Sequence, residues 1–133
     1  MSSPLREVIE TVLVALYNAT VGTLVHELGH YVVAKAYGLE PELHSYYVIR
    51  NPGHDFAVGI AGGLAEALSM VPVRMMVKSE LAKTLTDALI AGSVAYAVFE
   101  GVKMYKYGTL AYVMLTPFLI KETLEAVKRW SEW

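Results

Sequence analysis

Residues 26–30 read His-Glu-Leu-Gly-His, and this pentapeptide constrains the chain more than any other stretch. In an α-helix, residues four apart lie on one face, so His26 and His30 can share one metal ion. Glu27 projects about 100° away from His26 and can serve as a base toward water. A hydrolytic zinc site needs a third protein ligand, which the pentapeptide does not contain. The alternative is two structural histidines with a paired glutamate.

The composition favours a membrane protein. Hydrophobic residues make up 55% of the chain and charged residues only 18%, which is more apolar than an ordinary soluble domain. The 133 residues predict one domain, 1–133. A net charge of −2 without a basic cluster argues against nucleic-acid binding. Because the chain has no cysteine, zinc ligands must be histidine or carboxylate.

Apolar runs separated by Pro, Gly and charged residues predict an all-α, polytopic membrane bundle of about four helices. The first helix is long enough to cross about 30 Å of hydrocarbon, which places the histidines inside the membrane. An apolar N-terminal run interrupted by Arg6, Glu7 and Glu10 predicts no cleavable signal peptide. The predicted helices are Pro4 to Tyr37, Phe56 to Val77, Leu81 to Gly101, and Tyr107 to about Val127 with a kink at Pro117.

The segment between the first two helices has a different character. Residues 42–50 are rich in β-branched and aromatic side chains, and residues 51–55 have the composition of a turn. This pattern predicts a short β-like segment. An interfacial loop with its tyrosines at the level of the lipid headgroups is an equal alternative.

Small and acidic residues occur inside the predicted second and third helices. Gly59 and Gly63 form a G-x-x-x-G step, which allows a neighbouring helix to approach closely. A carboxylate such as Glu66 is costly in an apolar span and usually faces a partner or an aqueous cavity. Asp87 lies just inside the third span and is a candidate functional residue. The alternative is an ordinary ion pair with Lys83, four residues earlier on the same helix.

The distribution of basic residues predicts an orientation. With four crossings, seven Lys and Arg residues lie on the N-terminal side and four on the other, which predicts a cytoplasmic N-terminus. The two sets are Arg6, Arg74, Lys78, Lys83, Lys121, Lys128 and Arg129 against Lys35, Arg50, Lys103 and Lys106.

Two motifs resemble those of a known family. Residues 24–39, which include the pentapeptide, resemble the first motif of the site-2 protease family of intramembrane zinc metalloproteases. Ala61 to Glu66 is similar to the second motif of that family, Ala-Gly-Pro-x-x-Asn, although Gly63 and Glu66 replace its Pro and Asn. The resemblance implies zinc held by His26 and His30, with Glu27 as general base.

The resemblance does not directly identify the third zinc ligand, because the family's later Asp-Gly motif is absent from this sequence. Asp87, within the sequence Leu-Thr-Asp-Ala-Leu, is the predicted substitute. Glu66 is the second choice, and His54 and Asp55 in the turn come after it.

Three functional hypotheses follow. The first is a zinc metalloendopeptidase that cuts peptide bonds in or near transmembrane segments, with a membrane protein or peptide as substrate and the lipid bilayer around it. The second is a non-catalytic membrane scaffold or subunit derived from such a protease. The third is a soluble helical metalloprotein that oligomerises, favoured by Glu66, Lys83, Asp87 and Glu100 within the spans. A homo-oligomer or a regulatory membrane partner is compatible with the first two.

Overall fold

The fold is described from a computed structural model, which covers residues 3–43, 48–49, 55–104 and 107–133. The N-terminal helix consists of α1 (Pro4–Tyr17), a π-helical segment (Asn18–Gly22) and α2 (Thr23–Ala36), which together run without a break for 33 residues. Ser3 caps its start, since the Ser3 hydroxyl accepts a hydrogen bond of 3.2 Å from the Arg6 amide. The predicted bounds are confirmed within one residue, whereas the π-helical segment was not predicted.

The next two helices also follow the prediction closely. They are α3 (Asp55–Met76) and α4 (Glu80–Gly101), each 22 residues long. Pro72 lies inside α3 without ending it. The apolar runs and their flanking polar residues were therefore enough to place both helices.

The fourth predicted helix is interrupted. Its residues form two shorter helices, α5 (Gly108–Val113) and α6 (Thr116–Ser131). Pro117 stands in the first turn of α6, where its missing N–H costs no hydrogen bond, so it begins a helix instead of kinking one.

The predicted β-like segment is covered only in part. Glu42–Leu43 (β1) and Val48–Ile49 (β2) form a two-residue antiparallel pair, with Glu42 opposite Ile49. Residues 44–47 and 50–54 lie outside the described part of the chain, so the β-like segment and its turn stay a prediction.

Helices α3 and α4 pack most extensively, through the predicted G-x-x-x-G step. A Cβ atom on Gly59 would lie 2.7 Å from the carbonyl oxygen of Glu100, and one on Gly63 would lie 2.5 Å from that of Ser93. These distances are too short for any larger residue, so both positions require glycine. The close approach fixes α4 against α3 along this face.

The N-terminal helix and α4 run parallel and in register. Glu7 contacts Leu81 at one end, and His26 contacts Glu100 at the other. Glu7 precedes His26 by 19 residues along the N-terminal helix, and Leu81 precedes Glu100 by 19 residues along α4. Both separations correspond to about 28 Å of helix. Helix α3 packs against both α2 and α4.

Three helices in the described part of the chain are long and apolar enough to cross a membrane: Pro4–Ala36, Phe56–Met76 and Glu80–Gly101. Their outward faces carry large apolar side chains, such as Leu13, Leu68 and Met75. Such extensive apolar exposure is typical of a surface covered by lipid or by another protein. This finding supports a polytopic membrane bundle. The cytoplasmic N-terminus stays a prediction, because the Lys and Arg residues were counted for four membrane crossings.

Candidate metal centre

Helix α2 brings the two motif histidines together as the sequence predicted. The Nε2 atoms of His26 and His30 are 3.1 Å apart, and the two rings meet edge to face with centroids 4.8 Å apart. His30 is buried and His26 is partly buried. Both imidazoles therefore point into the bundle instead of toward its surface.

Glu100, near the end of α4, completes the group. One carboxylate oxygen lies 2.8 Å from Nε2 of His26, and the other lies 3.1 Å from Nε2 of His30. One potential ligand atom from each of the three residues lies within 4.8 Å of the others. The close packing of Gly59 against the Glu100 backbone holds this part of α4 next to the histidines.

The other ring nitrogen of each histidine is held by an acceptor on α3. Nδ1 of His30 donates a hydrogen bond of 2.6 Å to the carbonyl oxygen of Val58, which can only accept. Nδ1 of His26 lies 3.0 Å from a carboxylate oxygen of Glu66. These contacts favour the tautomer with the proton on Nδ1, which leaves a lone pair on each Nε2. Histidines that bind metals are usually oriented in this way.

The two lone pairs and the Glu100 carboxylate then face one another with no hydrogen atom between them. Three acceptors at such distances repel unless a cation or additional protons lie among them. The Glu100 Oε1 atom is buried, and Nε2 of His26, 2.8 Å away, can satisfy it only when this nitrogen carries a proton. Tetrahedral zinc, with bonds of about 2.0–2.1 Å, separates its ligand atoms by roughly 3.3 Å. The donor set and its spacing therefore fit zinc.

Glu27 lies beside this group without belonging to it. Its side chain is partly buried and interacts electrostatically with His26, His30 and Glu100. It makes no hydrogen bond to another residue in the described ranges. The Glu27 carboxylate is therefore not engaged by any other described side chain.

Two neighbours fix the imidazole rings. A Cβ atom on Gly62 would overlap the His30 ring, so this glycine makes room for the histidine. The Tyr96 ring meets the His26 ring edge-on, with centroids 5.8 Å apart. The centre is thus enclosed by α2, α3 and α4.

The structure does not bring the predicted third ligand, Asp87, to the histidines. Asp87 pairs instead with Arg74, whose Nε atom lies 2.6 Å from a carboxylate oxygen, and its side chain is exposed. It precedes Glu100 by 13 residues, about 20 Å along α4. The alternative partner Lys83 pairs with Glu80.

The other predicted candidates have different outcomes. Glu66 contacts His26 through Nδ1, so it supports a ligand instead of joining the group. His54 lies outside the described residues, and the Asp55 side chain is not described. Sequence reasoning passed over Glu100 as a ligand, although an acidic residue within an apolar helix was a usable signal.

Comparison of the chain with protein-family models, with curated proteins and with solved structures finds no match. The resemblance to the site-2 protease family therefore rests on the two sequence motifs and stays a prediction.

Proposed function

We propose that this protein is a zinc metalloprotease of the membrane, similar to the site-2 proteases, that hydrolyses peptide bonds in or near transmembrane segments. Its zinc ligands are His26, His30 and Glu100, and its general base is Glu27. One observation carries the proposal: potential ligand atoms of these three residues converge, and the neighbouring Glu27 carboxylate makes no hydrogen bond within the described residues.

In this proposal, each residue of the centre has a separate task. Zinc would supply Lewis acidity, which acidifies a water molecule and polarises the substrate carbonyl. Glu27 accepts a proton from that water and delivers it to the leaving amine. Glu66 and the Val58 carbonyl keep Nδ1 of each histidine protonated, so that Nε2 remains available.

The position of the centre supports a substrate in or beside the membrane. The three ligands belong to helices α2 and α4, and both helices have the length and apolarity of a membrane span. Glu100 is only one residue from the end of α4, so the centre lies near one end of the bundle. A substrate segment that leaves the hydrocarbon could therefore reach it without crossing the whole bundle.

A second candidate function is a non-catalytic membrane scaffold. The same contacts suit ion pairs, because protonated His26 and His30 would each satisfy one oxygen of Glu100. In that case the centre holds protons instead of a metal and only stabilises the packing of α2 against α4.

The test is zinc content together with cleavage, measured on the full chain purified in detergent. The wild type is expected to hold about one zinc per chain and to cut a peptide that contains a transmembrane segment. Glu27→Gln should keep its zinc and lose cleavage by roughly 10³-fold, because only proton transfer is removed. The matched control is Glu80→Gln, which changes an exposed glutamate on α4 and should retain both zinc and activity.

Each contrary outcome has a defined meaning. A wild type that binds no zinc after resupply overturns the metal centre and favours the ion-paired scaffold. Zinc binding without cleavage of any test peptide favours a scaffold with a structural metal. Full cleavage by Glu27→Gln would refute the role of Glu27.

A further inference from the structure

Two tyrosines near the centre differ in what their hydroxyl groups do. Tyr112, on α5, shares a hydrogen bond of 3.1 Å with the Ser93 hydroxyl, and its ring lies against Gly92. Burial raises the pKa of Tyr112 to about 12, so this hydroxyl remains neutral. Its packing and its hydrogen bond together account for Tyr112 as a structural residue.

Tyr96, on α4, has no such explanation for its hydroxyl. Its ring is held between the His26 ring and Gly108, where an added Cβ would collide with it. The hydroxyl makes no hydrogen bond to any residue in the described part of the chain. Tyr96 interacts electrostatically with Glu100, Glu27 and Glu66, and Tyr112 interacts in the same way with Glu66 and Glu100. The Tyr96 ring is therefore fixed beside the centre, and its O–H group is uncommitted among the described residues.

Helix geometry explains why the Tyr96 ring lies beside the centre. Tyr96 precedes Glu100 by four residues, and side chains at this spacing lie on the same helix face. The His26 ring contacts both residues, through the Glu100 carboxylate and through the Tyr96 ring. Thus Tyr96 and Glu100 approach the same histidine from adjacent turns of α4.

The chemistry of the proposed reaction needs a hydrogen-bond donor at such a position. When water adds to a peptide carbonyl, the carbonyl oxygen gains negative charge, and fixed donors nearby stabilise it. The Glu27, Glu66 and Glu100 carboxylates can only accept hydrogen bonds when ionised. A neutral tyrosine can donate one.

We propose that Tyr96 is a catalytic residue of this centre, which donates a hydrogen bond from its hydroxyl to the substrate carbonyl oxygen as negative charge develops there. The proton stays on the tyrosine throughout, so no additional acid or base is required. This inference rests on the proposed protease function and extends it to a third chemical role, beside metal ligation and proton transfer.

The test compares two substitutions that each remove one hydroxyl and keep the ring. In Tyr96→Phe, kcat for the transmembrane peptide is expected to fall by roughly 100-fold with little change in KM, while zinc per chain stays the same. Tyr112→Phe is the matched control and should leave kcat unchanged. Direct binding of a phosphinic peptide, whose tetrahedral group imitates the charged intermediate, should weaken in Tyr96→Phe by a similar factor.

The outcomes separate this inference from the proposed function. If the wild type cleaves and Tyr96→Phe matches it in kcat and in phosphinic peptide binding, Tyr96 is not catalytic and the protease proposal stands. If Tyr96→Phe loses zinc, the residue is structural and the inference fails. If the zinc-loaded wild type neither cleaves nor binds the phosphinic peptide, both proposals fail together.

Discussion

Two groups of buried acidic residues lie at opposite ends of this bundle, and their surroundings differ. At one end, Glu7 accepts hydrogen bonds from the Leu81 amide at 2.9 Å, from Arg129 at 2.6 Å and from the Trp130 indole at 2.8 Å. At the other end, Glu100 faces two imidazole nitrogens, and one of its oxygens lacks a hydrogen bond among the described residues. The first carboxylate is fully supplied with donors, whereas the second meets two imidazole nitrogens that donate to it only when they carry a proton.

The Glu7 end has a structural explanation that needs no ligand. Helix α4 begins there: Glu7 accepts from the Leu81 amide in its first turn, and Glu10 accepts from the amides of Lys78 and Ser79 just before it. Burial alone would lower the pKa of Arg129, but its hydrogen bonds to Glu7 and Glu122 raise that pKa above the ordinary value. Arg129 therefore stays charged and anchors α6 to α1.

The comparison gives a physical criterion for a site. A buried carboxylate surrounded by donors is satisfied by the fold itself, and changing it affects stability. A buried carboxylate that faces imidazole nitrogens requires a cation or additional protons between them, and in the proposed metal centre changing it affects what the protein binds. The following predictions test that distinction.

The largest effect is expected for Glu100→Gln. The variant replaces the proposed anionic ligand by a neutral amide, so the zinc that the proposal expects, about one per chain, should be lost. Zinc per chain, measured by elemental analysis after removal of free metal, tests this expectation. Glu80→Gln, on the same helix but exposed, should retain the metal. Equal zinc in the wild type and Glu100→Gln would remove Glu100 from the ligand set.

Glu7→Gln should instead lower the stability of the bundle. The variant leaves the Arg129 guanidinium without its buried counter-charge, and breaking such a pair costs roughly 3 kcal/mol. The midpoint of thermal unfolding in detergent should fall, while the folded variant still binds zinc. If the variant unfolds like the wild type, then Glu7 does not anchor α6. If it loses zinc while still folded, the two ends are not independent.

The sequence predicted the parts of the centre that are close together along the chain. The spacing of His26 and His30 fixes their common face once the segment is helical, and the apolar run made the helix predictable. Glu100 follows His26 by 74 positions, so its place depends on how α4 is shifted and rotated against α2. That arrangement depends on close contacts such as Gly59 against the Glu100 backbone, which sequence spacing alone does not specify.

The differences in the fold have similar local causes. The π-helical segment Asn18–Gly22 has no signal of its own in the sequence, because its uncharged residues continue the helical run on either side. Pro117 was compatible both with a kinked helix and with the first turn of a new one. Only the packing of α5 and α6 against α4 distinguishes these two possibilities.

A smaller effect is expected for Glu66→Ala. Glu66 holds Nδ1 of His26 without being a ligand, and the loss of such a supporting acceptor typically weakens metal affinity by about 10–100-fold. Zinc affinity measured by competition with a chelator should show this decrease while the stoichiometry at saturating zinc stays at one. The matched control is Ser69→Ala on the same helix, since the Ser69 hydroxyl bonds only the Glu66 backbone. A complete loss of zinc would instead make Glu66 a ligand.

The smallest effect is expected for Asp87→Asn. Asp87 is a third kind of carboxylate in this comparison, because it is exposed and not buried. Its ion pair with Arg74 is 58% exposed on the aspartate side, so water and salt screen it. Removing the charge should change the free energy of unfolding by less than about 1 kcal/mol and leave zinc binding as in the wild type. Elemental analysis of Asp87→Asn and Glu100→Gln side by side distinguishes these two acidic residues of α4 directly. Loss of zinc in Asp87→Asn but not in Glu100→Gln would reverse the assignment of the third ligand. The metal would then depend on the exposed carboxylate predicted from the sequence, and not on the buried carboxylate that faces the histidines.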